Sequence, residues 1–256
     1  MSGHYLGLEG AAVVATEQLL DTRDLIGALV DSEAMGAIYG PAGTGKTFAV
    51  GQALAERSQE EWVRTHFRSR PTTRYIRHEL YTALGLGTDV GLGRMPGPVE
   101  TDTALKRALA GRSRLLVCDE AQWLNRECFE YLRYLHDHET SRFALLFVGG
   151  AGCYEVLRRE PMLDSRLYAH LRFETLTADE VAAVIPVYHP VYADVPAGLI
   201  GLVDDHCAHG NFRNWAKFTH HALHLCEATG RAVVDEEIAR NVFARLGGKV
   251  GHDHTS

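Results

Sequence analysis

Proline is scarce in this sequence, at 8 of 256 residues, and cysteine is scarcer still, at five. The cysteines (Cys118, Cys128, Cys153, Cys207, Cys226) are odd in number and form no CxxC pair, which argues against a disulfide framework or a zinc ribbon. Nowhere do about 18 apolar residues run together, so no membrane-spanning helix and no membrane partner are expected. The opening Met1-Ser2-Gly3-His4-Tyr5 lacks the basic-then-apolar pattern of a secretion signal, and a cytoplasmic protein is expected. Excess positive charge is also missing: 26 Lys and Arg against 33 Asp and Glu leave a net charge of −7. The composition that remains, 46% hydrophobic and 23% charged, is globular and sufficient for a sizeable core.

Histidine, by contrast, is plentiful, with 14 residues. Three groupings carry metal-ligating side chains: His206-Cys207-Ala208-His209, the His220/His221/His224 set and His252-Asp253-His254. His220 and His224 would share a helix face. No second ligand pair stands at a matching spacing, so solvated or packed histidines are expected rather than a metal centre.

The first 150 residues alternate short apolar runs with longer amphipathic segments, the pattern of an α/β body around a parallel sheet. Strands are predicted at residues 35–39, 61–67, 114–118 and 143–148, with a short closing strand at 171–173. The unbroken apolar runs at 114–118 and 143–148 suit strands covered on both faces. Helices are predicted at 46–57, 72–84, 102–110 and 126–138, and a glycine-rich loop at 85–97. The Phe129/Leu132/Leu135 stripe reads as core, as does Cys118. Beyond Thr175 the strand signal stops. Thr177-Ala178-Asp179-Glu180 opens a helix with a capping box, and helices follow at about 197–209, 212–228 and 235–246. The expected organisation is an α/β nucleotide-binding domain (1–175), a small all-helical lid (176–248) and a flexible tail (249–256).

Gly40-Pro41-Ala42-Gly43-Thr44-Gly45-Lys46-Thr47 satisfies G-x-x-x-x-G-K-[ST], between a predicted strand and a predicted helix. The glycines let backbone N–H groups turn toward phosphate oxygens, and the helix N-terminus adds its dipole. Lys46 would reach the β- and γ-phosphates of ATP, and the Thr47 hydroxyl would hold Mg2+. Leu115-Leu116-Val117-Cys118-Asp119-Glu120 is an apolar strand ending in two carboxylates. Asp119 would support the metal and Glu120 would act as general base toward water, so hydrolysis is expected rather than binding alone.

These Walker A and Walker B motifs, followed by a helical lid, resemble the AAA+ ATPases. That resemblance implies a P-loop, three-layer body with a parallel sheet, ATP bound between subunits, and two further arginines. Ser165-Arg166-Leu167, expected on a short helix before the last strand, looks like the segment that supplies an arginine finger to the neighbouring subunit. Arg142, Arg158 and Arg159 compete for that role. Gly210-Asn211-Phe212-Arg213 looks like a sensor-2 motif, which would bring Arg213 to the γ-phosphate. One piece departs from the family: the fourth strand should end in a polar sensor-1 residue, but the chain has Val148-Gly149-Gly150-Ala151. Either a backbone group takes that task or hydrolysis is slow and serves as a timer.

Within the AAA+ proteins, the Gly-Pro-Ala-Gly-Thr-Gly-Lys-Thr loop, the Cys-Asp-Glu-Ala-Gln Walker B, the Gly-Asn-Phe-Arg lid motif and the compact size look like the transposition regulators of the MuB, TnsC/TniB and IstB type. The resemblance implies a homo-oligomer, ring or filament, that assembles on duplex DNA with ATP and hands a target site to a transposase. Residues 62–78 hold five arginines and no carboxylate, a local basic field within an acidic chain. Of these, Arg68, Arg70, Arg74 and Arg77 would contact phosphates with little sequence preference. Two other readings remain open: a helicase-loader or initiator-like ATPase, and a nucleotide-controlled switch that binds protein, as in phage defence or regulation.

Overall fold

The computed structural model describes residues 4–57, 62–67, 70–87, 96–110, 114–159 and 165–246. The tail predicted at 249–256 and most of the 85–97 loop lie outside the described residues. The chain divides into two compact units. One gathers Glu17–Ala42 and Lys46–Phe173; the other gathers Ser2–Thr16, Gly43–Gly45 and the chain from Glu174 onward.

The first unit is built on five strands: β1 (Met35–Tyr39), β2 (Trp62–His66), β3 (Arg114–Asp119), β4 (Phe143–Gly149) and β5 (Leu167–Arg172). They pair in parallel in the order β2-β3-β4-β1-β5. Its helices are α1 (Glu17–Ser32), α2 (Lys46–Ala55), α3 (Thr73–Ala83), α4 (Pro98–Leu109), α5 (Arg126–His136) and α6 (Cys153–Arg158).

Successive side chains of a strand point to opposite faces, and β4 shows what that does for a sheet covered on both sides. Phe143, Leu145 and Phe147 join Leu80, Leu105, Leu132 and Leu157 of α3–α6 in one core. Ala144, Leu146 and Val148 join Ile26, Leu29, Val50 and Leu54 of α1 and α2 in the other. Burying each of these large side chains stabilises the body by about 1.5–3 kcal/mol. The body is therefore three-layered, a parallel sheet between two helical layers.

Two element starts differ by four residues from the sequence-based expectation. The fourth helix begins at Pro98 rather than 102, because proline suits the first helical position and Glu100 Oε2 accepts from the Gly97 N–H at 3.1 Å. The last strand begins at Leu167 rather than 171, since pairing with β1 starts at Met35↔Leu167 and continues through an irregularity at Met35/Gly36. Arg166 accordingly stands in the turn before β5 and not on a short helix.

The second unit is helical after Glu174: α7 (Ala178–Tyr188), α8 (Ala197–Val203), α9 (Phe212–Thr229) and α10 (Glu236–Leu246). The capping box read from Thr177 and Glu180 is formed at α7. Its core is centred on Trp215, Tyr192 and Phe218, and Leu8 of the N-terminal segment is buried in it. Asp204 ties this core together, its Oδ1 accepting from Trp215 Nε1 at 2.9 Å and from the Gly210 N–H at 2.7 Å.

Candidate functional site

Because all five strands run parallel, their carboxyl ends share one edge, and that edge is where an α/β sheet offers its crevice. Tyr39, the last residue of β1, is in register with Gly149 at the end of β4, and Val148 is in register with Asp119 at the end of β3. With strands about 4.8 Å apart, the start of the Gly40–Thr47 loop and the Asp119-Glu120 pair are separated by roughly 10 Å across this edge.

The loop leaves β1 through Gly40, whose φ of 148° only glycine adopts readily. A Cβ there would stand 2.1 Å from the Phe173 carbonyl oxygen. Gly43 and Gly45 also have positive φ, 85° and 100°. Lys46 opens α2, and its Nζ folds over the loop to donate to the Gly40 oxygen at 2.9 Å and the Pro41 oxygen at 2.6 Å. Thr47, in the first turn of α2, is exposed. A buried ammonium over a turned-in backbone and a free hydroxyl at a helix N-terminus form a cradle for phosphate oxygens and a hard cation.

Asp119 is 4% exposed at its side chain. Its Oδ1 accepts from the Glu120 N–H at 2.9 Å, and its Oδ2 accepts from Arg64 Nη2 of β2, with His66 Nδ1 3.5 Å away. A carboxylate at the end of β3 is a hard oxygen donor of the kind that suits Mg2+, so Asp119 and the Thr47 hydroxyl fit the ion the sequence implies. Glu120 is exposed and adopts a left-handed backbone conformation, φ 58° and ψ 37°. Gln122 Nε2 donates to Glu120 Oε2, and Gln122 Oε1 accepts from the Gly150 N–H at 2.8 Å.

The arginine-rich segment separates into three environments. Arg64 is turned inward onto Asp119. Arg77 donates from Nε to Asp102 Oδ1 at 2.7 Å and lies 4.8 Å from the centroid of the Tyr131 ring. The Asp102 bond raises the Arg77 pKa, and burial, reinforced by Asp102, raises that of the Tyr131 phenol. Arg70 and Arg74 are exposed, Arg70 with a positive φ of 53° and Arg74 on the first turn of α3. Arg68 lies outside the described residues. Four residues expected to form one cationic face thus include one whose charge is already met by a carboxylate.

Arg166 is half-exposed, and its Nη1 donates to Asp137 Oδ1 at 2.6 Å. Arg142 pairs with Glu33 at 3.3 Å, while Arg158 lies 5.7 Å from the Tyr154 ring and Arg159 is exposed. In the second unit, Asn211 caps α9, its Oδ1 accepting from the Arg213 and Asn214 N–H groups. The Arg213 N–H also points to the Gly43 oxygen at 3.1 Å, and its exposed guanidinium lies 5.5 Å from the Tyr5 ring. Among the histidine groupings, His206 packs on Phe243 with ring centroids 4.0 Å apart, and His220 meets His224 edge-on at 4.8 Å. Among the described residues, no group of three or more His, Cys, Asp or Glu could hold a metal ion, and no helix is long and apolar enough to cross a membrane.

Two contacts escape a reading of the sequence by motif. By composition alone Arg64 belongs to the basic run at 62–78. The strand period gave a signal: Arg64 and His66 are two apart on β2, and His66 pairs in register with Asp119. Gln122 belonged to the Walker B string without a role of its own.

The sequence pattern of the AAA domain family matches residues 30–157. No curated protein matches the sequence significantly. Among solved structures, the Aeropyrum pernix ORC2 protein in ADPNP–ADP complexes is similar at 16% identity and TM-score 0.69, over 91% of this chain and 68% of that one. Cdc6p from Pyrobaculum aerophilum is similar at 18% identity and TM-score 0.70, over 88% of this chain and 65% of that one. The Aeropyrum pernix ORC1 protein in complex with DNA is similar at 19% identity and TM-score 0.67, over 91% of this chain and 66% of that one. The chain thus spans about two thirds of the length of these structures, and the likeness is one of fold.

Proposed function

The chain belongs to the AAA domain family, and from that premise we propose that it is a Mg2+-dependent ATPase that assembles with copies of itself on duplex DNA and regulates the choice of transposition target. The observation that carries the ATPase reading is the shared sheet edge, where Lys46 covers a turned-in loop, Asp119 ends β3 and Glu120 follows it. In this reading the Gly40–Thr47 loop binds the triphosphate, Lys46 leaves the Gly40 and Pro41 oxygens for phosphate oxygens, and Thr47 and Asp119 hold the cation. Bound Mg2+ supplies charge neutralisation at the phosphate oxygens. Glu120 accepts the proton of the attacking water. By the sensor-2 resemblance Arg213 would meet the γ-phosphate, and Arg166, or one of Arg142, Arg158 and Arg159, would reach the site of a neighbouring subunit.

DNA contact in this proposal rests on Arg70 and Arg74, the exposed part of the basic segment, with Arg68 alongside in sequence. Contacts of this kind read phosphate and not base edges, so binding should be insensitive to sequence and steeply dependent on salt. The transposition role is supported by the motif resemblance. A second reading, a replication-initiator-like ATPase, is supported by the fold likeness to ORC and Cdc6 proteins.

Competition binding separates the two. With ATP and a labelled duplex, transposition-target binding predicts that unrelated duplexes of equal length compete equally. A preference for particular sequences of tenfold or more would favour the initiator-like reading. No ATP-dependent binding to any duplex would contradict both.

A further inference from the structure

β4 ends in Val148-Gly149, with Gly150 next in the chain, so no polar side chain from that strand reaches the sheet edge beside Glu120. The space is nevertheless filled by a polar group. A Cβ on Gly149 would stand 2.6 Å from Gln122 Oε1 and 2.6 Å from Cys153 Cβ, so the missing side chain is what admits the Gln122 amide. That amide is used at both ends: Oε1 accepts from the Gly150 N–H at 2.8 Å, and Nε2 donates to Glu120 Oε2. Gln122 itself is fixed on the short 3-10 turn Ala121–Trp123, in which the Trp123 N–H donates to the Glu120 oxygen at 3.0 Å.

Glu120 needs such support. Its left-handed backbone is costly for a residue with a Cβ, by about 1 kcal/mol or more, and persists only where surrounding bonds impose it. Its N–H is held by Asp119 Oδ1 and its carboxylate by Gln122. One carboxylate oxygen is thereby fixed by an N–H donor, and the other is left to accept a proton.

We propose that Gln122 is the positioning residue for Glu120, anchored on the end of β4 and supplying from β3's side the polar group that β4 lacks. The inference rests on the hydrolytic reading of the site. Gln122 contacts neither nucleotide nor water in this account; it acts through the direction it gives to the Glu120 carboxylate. Misplacing a reacting group by about 1 Å costs up to about 100-fold in rate, so loss of this bond should be read in kcat.

The test compares Gln122→Leu, which loses both bonds, with Gln122→Glu, which keeps an acceptor for the Gly150 N–H but has no amide donor for Glu120. Steady-state ATP turnover, equilibrium binding of a fluorescent ATP analogue and melting temperature are measured for each and for the wild type. The expected result is a kcat lower by about 10- to 100-fold in both variants, with analogue affinity within about threefold of wild type. Because Gln122→Glu sets a like charge against Glu120, the loss of kcat is read at a temperature where each variant is fully folded by circular dichroism, whatever its melting temperature. Wild-type kcat in Gln122→Glu, or a loss of kcat only in step with melting temperature, would overturn the proposal. A wild-type chain with no ATP turnover would overturn the hydrolytic reading and this role together, whereas active wild type with equally active variants would overturn only the role of Gln122.

Discussion

Arg64 on β2 donates through Nη2 to Oδ2 of Asp119 at the end of β3, and the pair is largely enclosed, with side chains 17% and 4% exposed. An enclosed carboxylate needs this partner, because breaking a buried pair from one side leaves an uncompensated charge. The proposed function gives the same carboxylate to the metal, so Arg64 and a bound cation would meet at one group.

Removing Arg64 should therefore destabilise the nucleotide-free protein and make it more dependent on the metal. Arg64→Gln is expected to lower the unfolding free energy by about 3 kcal/mol, since it leaves Asp119 with the Glu120 N–H and His66 only. Mg2+ with a non-hydrolysable ATP analogue should raise the melting temperature of the variant more than that of the wild type, by binding only the folded form. Equal shifts in the two proteins would separate Arg64 from the cation site.

Gly40 is expected to tolerate no side chain. The Cβ of Gly40→Ala would approach the Phe173 carbonyl oxygen to 2.1 Å at a φ of 148°, and neither backbone can yield cheaply. A loss of about 3 kcal/mol in denaturant unfolding is expected, together with loss of nucleotide affinity. An alanine variant with wild-type stability would contradict the loop geometry.

The exposed and the paired arginines of the basic segment predict different phenotypes. Arg70→Ala and Arg74→Ala should leave the fold intact, weaken duplex binding, and each lower the slope of log K against log salt by about 0.9. Arg77→Ala should leave that slope unchanged and cost about 2 kcal/mol of stability, because Asp102 keeps only the Tyr131 hydroxyl at 2.6 Å. Salt-series binding beside chemical denaturation tests both halves. A fall in salt slope for Arg77→Ala would place it on the DNA face.

His136 gives the first unit a pH dependence of known sign. Burial lowers its pKa from 6.5, opposed by the bond to the Glu33 oxygen at 3.0 Å. The unfolded chain then binds the proton more readily than the folded one, so this contribution to stability is full above pH 6.5 and is lost as pH falls through the lower folded value. His4 and His221 are shifted in the same direction, so the test is by difference. Unfolding free energy between pH 7 and pH 5 should fall less steeply in His136→Gln than in the wild type. Parallel curves would remove His136 from this role.

Much of the body was legible because its signals are local. The apolar runs of β3 and β4, the loop glycines ahead of Lys46 and the Thr177/Glu180 capping box each depend on residues close in sequence. The helix α1 was not read as one. Its buried face, Leu19, Ile26 and Leu29, is explained by packing on the sheet, a contact with distant residues. The start of β5 is hidden in the sequence for the same reason, since its strand character comes from pairing with β1 and its exposure alternates residue by residue. At the site, Lys46, Asp119 and Glu120 were named from their motifs. The partners Arg64 and Gly150 were not, because strand order decides which ends of the chain meet at the edge. The basic segment was read as one surface, whereas strand period and the distant Asp102 divide it.

The central claim is that Glu120 drives hydrolysis by an assembly that ATP builds on DNA. The most direct measurement is ATP turnover with and without long duplex DNA, paired with negative-stain imaging of wild type and Glu120→Gln under Mg2+ and ATP. DNA-stimulated turnover in the wild type, with rings or filaments accumulating on DNA in the non-hydrolysing variant, is the predicted result. Turnover indifferent to DNA, with no assembly in either protein, would contradict the account.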